Sequence, residues 1–541
     1  MNSKKKKIFG ASLLALSLLT LGACGNNEEE ATEDFSIEDR YELDASTPAW
    51  KLDTKEDNKL TWYINADWLQ LEFGEDMTTA KIKEDLNLDV DIVTGDDTKL
   101  NTMFAGGDMP DIITLTDSTS TTAKKADTWA YPLTELAEKY DPFFNEVAKE
   151  QTMNWFQLED GKTYGYPNFS NTTEDYEDGI MPVNTNFIIR SDVYEALGNP
   201  SIGTPEEFRD VMQQIKDKYP ELEPFGFNPV GNDVGSLGDV LQDFIGVPLE
   251  DENGEFYNRN LDEDYLTWLK TINEVYRDGN ISDDSFSDDG PTFDEKIKSG
   301  NYATLFVNGV SGFGGHLQTF MNNNPGVEYI AIDGPQSTEG NQIKLNQTGL
   351  SGWMVNYITK ESTDPAKAIQ LFTYLLSDEG QILTKYGIEG ETFEYNEDGL
   401  IEMLPEITKL KEEKPEEYSK KYRLSEILFF NHDRANTLKV PDEKGPLTQL
   451  QEWGNGKLYP HYVVENVNPD QGTAEARSYD AIKTNWHTSL ISMIRSKSEK
   501  EFDSNLEAYE KFLDDNNWDD IVKIQNEKMA TNKEKLSLSE E

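Results

Sequence analysis

Leu60-Thr61-Trp62-Tyr63-Ile64-Asn65 opens the segment on which the fold is decided. The run is rich in β-formers and reads as a strand buried on both faces, as parallel strands are. Ala80, Ile82 and Leu86 recur near helical spacing, which predicts a helix over about 75–86. Leu88, Val90 and Ile92 alternate and give a second strand. Leu100 to Ala105 reads as a helix stopped by Gly106-Gly107, and Pro110-Asp111-Ile112-Ile113-Thr114-Leu115 as a third strand. Strand, helix, strand, helix, strand between Leu60 and Leu115 predicts βαβ units and a parallel sheet.

The pattern continues downstream. Asn186-Phe187-Ile188-Ile189-Arg190 and Tyr302 to Val307 read as strands. Thr204-Pro205-Glu206-Glu207 carries a capping box with Pro at the first helical position, so a helix starts there and runs to about Lys218. Leu261 to Tyr276, Pro365 to Leu376, Tyr479 to Ile494 and Phe502 to Leu513 have helical periodicity. A chain of 541 residues with 36% hydrophobic content is too long for one ordinary core, which predicts two large lobes or several domains. Lys plus Arg number 49 against 103 Asp plus Glu, a net charge of −54. A surface so acidic lacks the cationic patch that phosphate backbones and anionic headgroups require, so nucleic-acid binding is excluded as an expectation.

At the N-terminus, Lys4 to Lys7 precede an apolar stretch, Ile8 to Leu21, too short to cross a bilayer comfortably. Leu21-Gly22-Ala23-Cys24 follows and resembles the lipobox of bacterial lipoproteins, in which the cysteine is diacylated and becomes the mature N-terminus. Cys24 is the single cysteine, so a lipidated chain has no thiol left for a disulfide. Residues 24–56 hold Glu28-Glu29-Glu30 and few large apolar groups and are expected to form an acidic flexible tether. The polar residues from Lys533 to Glu541 are expected to fray.

Phe104-Ala105-Gly106-Gly107-Asp108-Met109-Pro110-Asp111-Ile112-Ile113 resembles a run typical of extracellular solute-binding proteins. Gly161 to Pro167, Gly300 to Leu305 and Tyr374 to Gly380 are similar to further family segments, in the family's order. The chain is most similar to the carbohydrate-binding group, family 1, that feeds ABC importers, and within it to long lipoproteins of Gram-positive bacteria. The resemblance implies a two-lobed α/β fold of the periplasmic-binding-protein type (type II), each lobe a mixed sheet flanked by helices, with a ligand cleft between lobes. It implies a signal peptide over 1–23, one lobe from 57–170 plus 340–378, and the other from 171–339 plus 379–541. Chain crossings are expected near 168–183, 335–344 and 378–390. It further implies an oligosaccharide ligand, permease subunits as partners, a monomer, and attachment to the outer face of a cell membrane through Cys24.

Catalysis is not expected. The four histidines, His316, His432, His461 and His487, have no metal-ligand spacing, and two near misses to G-x-S-x-G fail at the last glycine. No cofactor is expected, and no calcium loop: Asp251-Glu252-Asn253-Gly254-Glu255 and Asn396-Glu397-Asp398-Gly399 read as hairpin turns. A sugar site instead combines aromatic platforms with Asp and Asn fans, because pyranose rings offer flat C–H faces and hydroxyls. Tyr63-Ile64-Asn65-Ala66-Asp67-Trp68 has that composition at the end of the first strand, where α/β proteins bind ligands. The segment resembles the first-strand segment of maltose-binding proteins, which makes Asn65 and Asp67 hydroxyl contacts and Trp68 a stacking face, while Trp62 and Tyr63 read as core. Asp117 and Ser118 follow the third strand, Phe313 follows the Tyr302–Val307 strand, and Trp353 and Trp486 complete the expected ligand set. Two other readings stay open: a lipoprotein of the same fold that binds a peptide or other polar solute, and a secreted glycoside-active enzyme.

Overall fold

The computed structural model describes residues 35–230, 235–347, 349–440 and 445–538, and from Ile37 onward the chain forms one compact unit. Cys24 and the signal segment 1–23 lie outside the described residues. The strands of the two large sheets are β1 (Asn58–Ile64), β2 (Leu88–Thr94), β3 (Ile112–Leu115), β4 (Gly165–Pro167), β5 (Thr185–Arg190), β6 (Glu223–Phe227), β7 (Tyr302–Asn308), β8 (Tyr329–Ala331) and β9 (Val355–Ile358). The first sheet has the order β2-β1-β3-β9-β4, and the second β6-β7-β5-β8. β1 pairs parallel with β2 and β3, as the βαβ pattern predicts, while β9 runs antiparallel between β3 and β4. Helices cover both sheets, so the architecture is two-lobed α/β.

Strands β3, β9 and β4 of the first sheet are buried along their whole length, and the polar groups at the sheet's centre are satisfied in series. Trp62 Nε1 donates to Thr114 Oγ1 at 2.7 Å, and Thr114 Oγ1 donates to Asn356 Oδ1 at 2.7 Å, linking β1, β3 and β9 through the core. In the second lobe Phe208, Phe225, Trp268 and Phe306 lie at the centre of a core in which none is more than 1% exposed. The helix Pro205–Lys218 feeds that core and starts at the expected capping box, with both reciprocal bonds between Thr204 and Glu207 formed. Asn396 caps the turn of a small hairpin between Phe393–Tyr395 and Ile401–Met403, and Asp251 accepts from the N–H groups of Asn253 and Glu255 in the other turn.

Three expectations need correction. Of the tether expected over 24–56, the described part packs on the first lobe. Tyr41 and Ala49 are buried, and Arg40 Nη1 reaches both oxygens of Asp364 at 2.9 Å. Arg40 Nε donates to Asp53 at 3.1 Å, and Asp53 also holds the fully buried Lys367 at 2.8 Å. The acidic composition concealed charges that are paired and desolvated together. The stretch 379–438, expected in the second lobe, packs on the first. The Phe429 ring lies 4.6 Å from that of Trp62, Thr78 Oγ1 donates to Tyr422 O at 2.6 Å, and Arg423 pairs with Asp76 at 2.8 Å. Phe429 and Phe430 account for this placement, since their burial needs the aromatic surface of the first lobe. The expected crossing at 378–390 is therefore the helix Asp378–Tyr386, and the chain leaves the first lobe only after Leu438. The polar tail is helical to Ser537: Asn532 Nδ2 donates to the carbonyls of Val463 and Glu465, and Lys535 Nζ to those of Trp155 and Gln157.

Candidate ligand-binding cleft

Because β9 is antiparallel to β1 and β3, its N-terminal end lies beside their C-terminal ends, at one edge of the first sheet. After β1 the chain makes a tight turn, with Leu69 N–H donating to Ala66 O at 3.2 Å, and this projects Asp67 and Trp68 outward. Trp353 stands just before β9. Its backbone is fixed by the crossing segment: Asn168 Oδ1 accepts the N–H groups of Trp353 at 3.0 Å and Met354 at 2.9 Å. Gly352 is required there, since its φ is +58° and a Cβ would lie 2.7 Å from Phe169 O. Trp68 is 59% exposed and Trp353 46%, yet their rings stack on each other with centroids 6.1 Å apart and planes at 26°. Two indoles presented together to water form an apolar patch of the sort that marks an interaction site.

The surrounding polar groups are oriented by short bonds. Asn65 Nδ2 donates to Asp97 Oδ1 at 2.7 Å, and Asn65 Oδ1 accepts from Tyr63 OH at 3.3 Å. Asp67 is exposed beside them. Asp117 Oδ1 accepts the N–H and hydroxyl of Thr119, both at 2.7 Å, and its other oxygen accepts from Gln471 Nε2 at 2.9 Å. Ser118 is half-buried next to it.

The strand ends of the second sheet carry a cluster of asparagines that the sequence reading did not select as ligand contacts. Asn228 and Asn308 exchange two bonds, Asn308 N–H to Asn228 Oδ1 at 2.8 Å and Asn228 Nδ2 to Asn308 O at 2.9 Å. Asn184 O accepts the N–H of Gly309 at 2.8 Å, and its Oδ1 accepts that of Ser311 at 3.3 Å. Asn308-Gly309 at a strand end was the available signal, with Gly309 at φ +82° turning the chain sharply.

Two expected contacts pack on aromatic neighbours of the second lobe, Trp486 buried and Phe313 half-buried. Trp486 is 6% exposed, in the core of the second lobe, its ring 4.7 Å from that of Tyr509 and 6.2 Å from that of Tyr265. Phe313 packs edge-on against Phe293 at 5.8 Å within the second lobe. Their helix and strand-end positions were read from sequence, but the aromatic neighbours they pack on come from other segments.

Behind the cleft the crossings are tied together. The Glu465 carboxylate accepts the N–H groups of Leu350 at 3.1 Å and Ser351 at 3.0 Å and the Ser351 hydroxyl at 2.6 Å, and burial pushes this carboxyl up from its ordinary value. Tyr462 OH donates to Asn171 O at 2.8 Å. A hollow of about 630 Å³ on this side is lined by Lys149, Glu174, Leu249, Tyr459, Tyr462 and Leu536, and none of the expected ligand contacts reaches it.

No protein-family model and no curated protein matches the chain. Solved structures do. An extracellular solute-binding protein from Bifidobacterium longum subsp. infantis is 15% identical, covering 88% of this chain and 98% of that one, with a TM-score of 0.67. The alginate-binding protein AlgQ2, in a structure without calcium ion, is 16% identical over 88% and 99%, with a TM-score of 0.61. The S. pneumoniae ABC-transporter substrate-binding protein FusA, in complex with kestose, is 16% identical over 88% and 99%, with a TM-score of 0.60. At these identities the likeness establishes the two-lobed solute-binding fold.

Proposed function

We propose that this chain is a carbohydrate-capturing receptor of an ABC importer, binding an oligosaccharide in the cleft and presenting it to permease subunits by closure of the lobes. The observation that carries the reading is the stacked, solvent-facing pair Trp68–Trp353 at the strand-end edge, flanked by Asn65, Asp67 and Asp117. Indole faces take the C–H faces of a sugar ring, and the carboxylates and amides take its hydroxyls. That FusA was solved with kestose and AlgQ2 is described as alginate-binding supports the ligand class. In this reading Cys24 carries the lipid anchor on the outer face of the membrane, the receptor is monomeric, and it acts without a cofactor or catalysis.

Titration calorimetry against maltohexaose, cellohexaose, kestose and a mannose-rich N-glycan tests the ligand class. Saturable binding to one member, lost in the double variant Trp68→Ala/Trp353→Ala, is the expected result. Binding to none of them, with retention of a peptide or amino acid instead, replaces the reading with that of a polar-solute receptor. Small-angle scattering tests the closure, since a closed complex has a smaller radius of gyration than the free chain.

A further inference from the structure

Asn168 directly follows β4 and is 1% exposed, and each of its polar atoms is hydrogen-bonded. Its N–H donates to Met354 O at 2.8 Å, and its Oδ1 takes the N–H groups of Trp353 and Met354. On its other side Nδ2 donates to Leu428 O at 3.1 Å, and its carbonyl accepts from Asn431 N–H at 2.7 Å. One buried amide thus joins the end of β4, the entry to β9 and the stretch 428–431. A buried network whose members are all satisfied specifies a single arrangement. Gly352 closes round it, since a Cβ there would also lie 2.8 Å from Asn168 Oδ1.

The two bonds to the stretch 428–431 flank Phe430, which stands at φ +59° with its side chain fully buried. A bulky residue in the left-handed region is strained, and it persists only where its surroundings over-determine it. They do so here. The Phe430 ring packs on Phe372 at 4.6 Å and on Tyr166 at 6.0 Å, and Gln381 Nε2 donates to Phe430 O at 2.6 Å. The chain reversal at Phe430 brings Leu428 O and Asn431 N–H onto the same residue. We infer that Asn168 is a positioning residue for carbohydrate binding: the strained turn at Phe430 fixes Asn168, and Asn168 fixes the backbone from which Trp353 meets Trp68. Affinity for a sugar ring is then set in part by a segment that Trp353 reaches only through Asn168. This inference rests on the carbohydrate reading proposed above.

The test uses the full chain carrying Cys24→Ser. Indoles 6.1 Å apart couple their electronic transitions, so the pair adds a couplet to the circular dichroism, isolated as the difference between parent and Trp353→Ala. Asn168→Ala should lose the same couplet while still melting cooperatively, and a folded Asn168→Ala that keeps it overturns the positioning. Phe430→Gly and Phe430→Val remove the same ring, but only glycine takes φ +59° freely. The couplet should survive in Phe430→Gly and fade in Phe430→Val, and equal behaviour of the two overturns the role of the turn. That pair also decides the matter if Asn168→Ala does not fold. Maltohexaose, cellohexaose and kestose are then titrated by calorimetry. Asn168→Ala should weaken the sugar that binds by roughly fivefold or more with Trp353 present, and by less than about twofold in Trp353→Ala. Equal losses in the two backgrounds overturn the link to binding. Binding of none of the three sugars strikes down the carbohydrate reading, and the couplet still decides whether Asn168 sets the indole pair.

Discussion

The two rims of the cleft occupy equivalent strand-end positions and use aromatic surface in opposite ways. The first lobe leaves Trp68 and Trp353 in solvent, stacked on each other. The second lobe turns Phe313 onto Phe293 and Trp486 between Tyr265 and Tyr509, and presents Asn184, Asn228 and Asn308 instead. The difference separates two tasks. In the proposed reading the first lobe supplies the stacking surface with Asn65, Asp67 and Asp117 beside it and the second lobe adds amides alone, so a ligand resting on the first lobe alone would leave its second set of hydrogen bonds unmade. In that reading, completing them would favour closure and give the closed state its differential affinity.

The sharpest way to break this comparison is Trp486→Ala. If Trp486 is core, removing it opens a cavity and lowers stability by about 3–5 kcal/mol, read as a fall in the denaturant midpoint. Folded Trp486→Ala should bind ligand normally, and a variant that melts like the parent but loses ligand would return Trp486 to the cleft.

A second experiment isolates the scaffold from the site by pH. Burial pushes the Asp141 carboxyl up to about 6, although its Oδ1 accepts the Ala49 N–H at 3.0 Å. The native carboxyl thus holds its proton more tightly than the unfolded chain's, so stability falls as pH rises from about 4 to about 6. Asp141's share of the loss is about 3 kcal/mol, and Asp141→Asn should lessen the slope in melts between pH 4 and 7, with other raised carboxyls such as Glu465 keeping the rest. Ligand affinity should follow neither change, because Asp141 lies among the N-terminal segment's contacts. An unaltered slope in Asp141→Asn would place the titrating group elsewhere.

The smallest effect separates the rims directly. Trp68→Ala should weaken carbohydrate binding by about 1–3 kcal/mol in calorimetry and leave the melting temperature within about a degree of the parent. Early melting with normal affinity would make the indole pair structural.

Local signals carried much of the fold. The β1–β3 unit, the capping box at Thr204 and the burial of Trp62 follow from periodicity, propensity and turn chemistry that act within a few residues. The exposure of Trp68 was legible for the same reason, from its polar neighbours after a strand. Its stacking on Trp353 was not, since that partner is brought up by a crossing segment whose position depends on Asn168. Trp486 shows the complementary limit. Its helix is evident, but which face is buried depends on Tyr265 and Tyr509, which belong to other helices. The ordered stretch 37–56 was missed because its charges look solvated until Asp364 and Lys367 are placed against them.

The position of β9 between β3 and β4 has a consequence in time. The second sheet is drawn wholly from residues 185–331, whereas the first cannot join β4 to β3 until residues 355–358 exist. A chain made from its N-terminus therefore holds the earliest strands unfinished while the later lobe lays down its own sheet. Loop closure over so long a separation is slow, and the open edges of β3 and β4 stay available to wrong partners meanwhile. The sheet that begins first in sequence is the one completed last, and its exposed intermediate is where a holding chaperone would gain most.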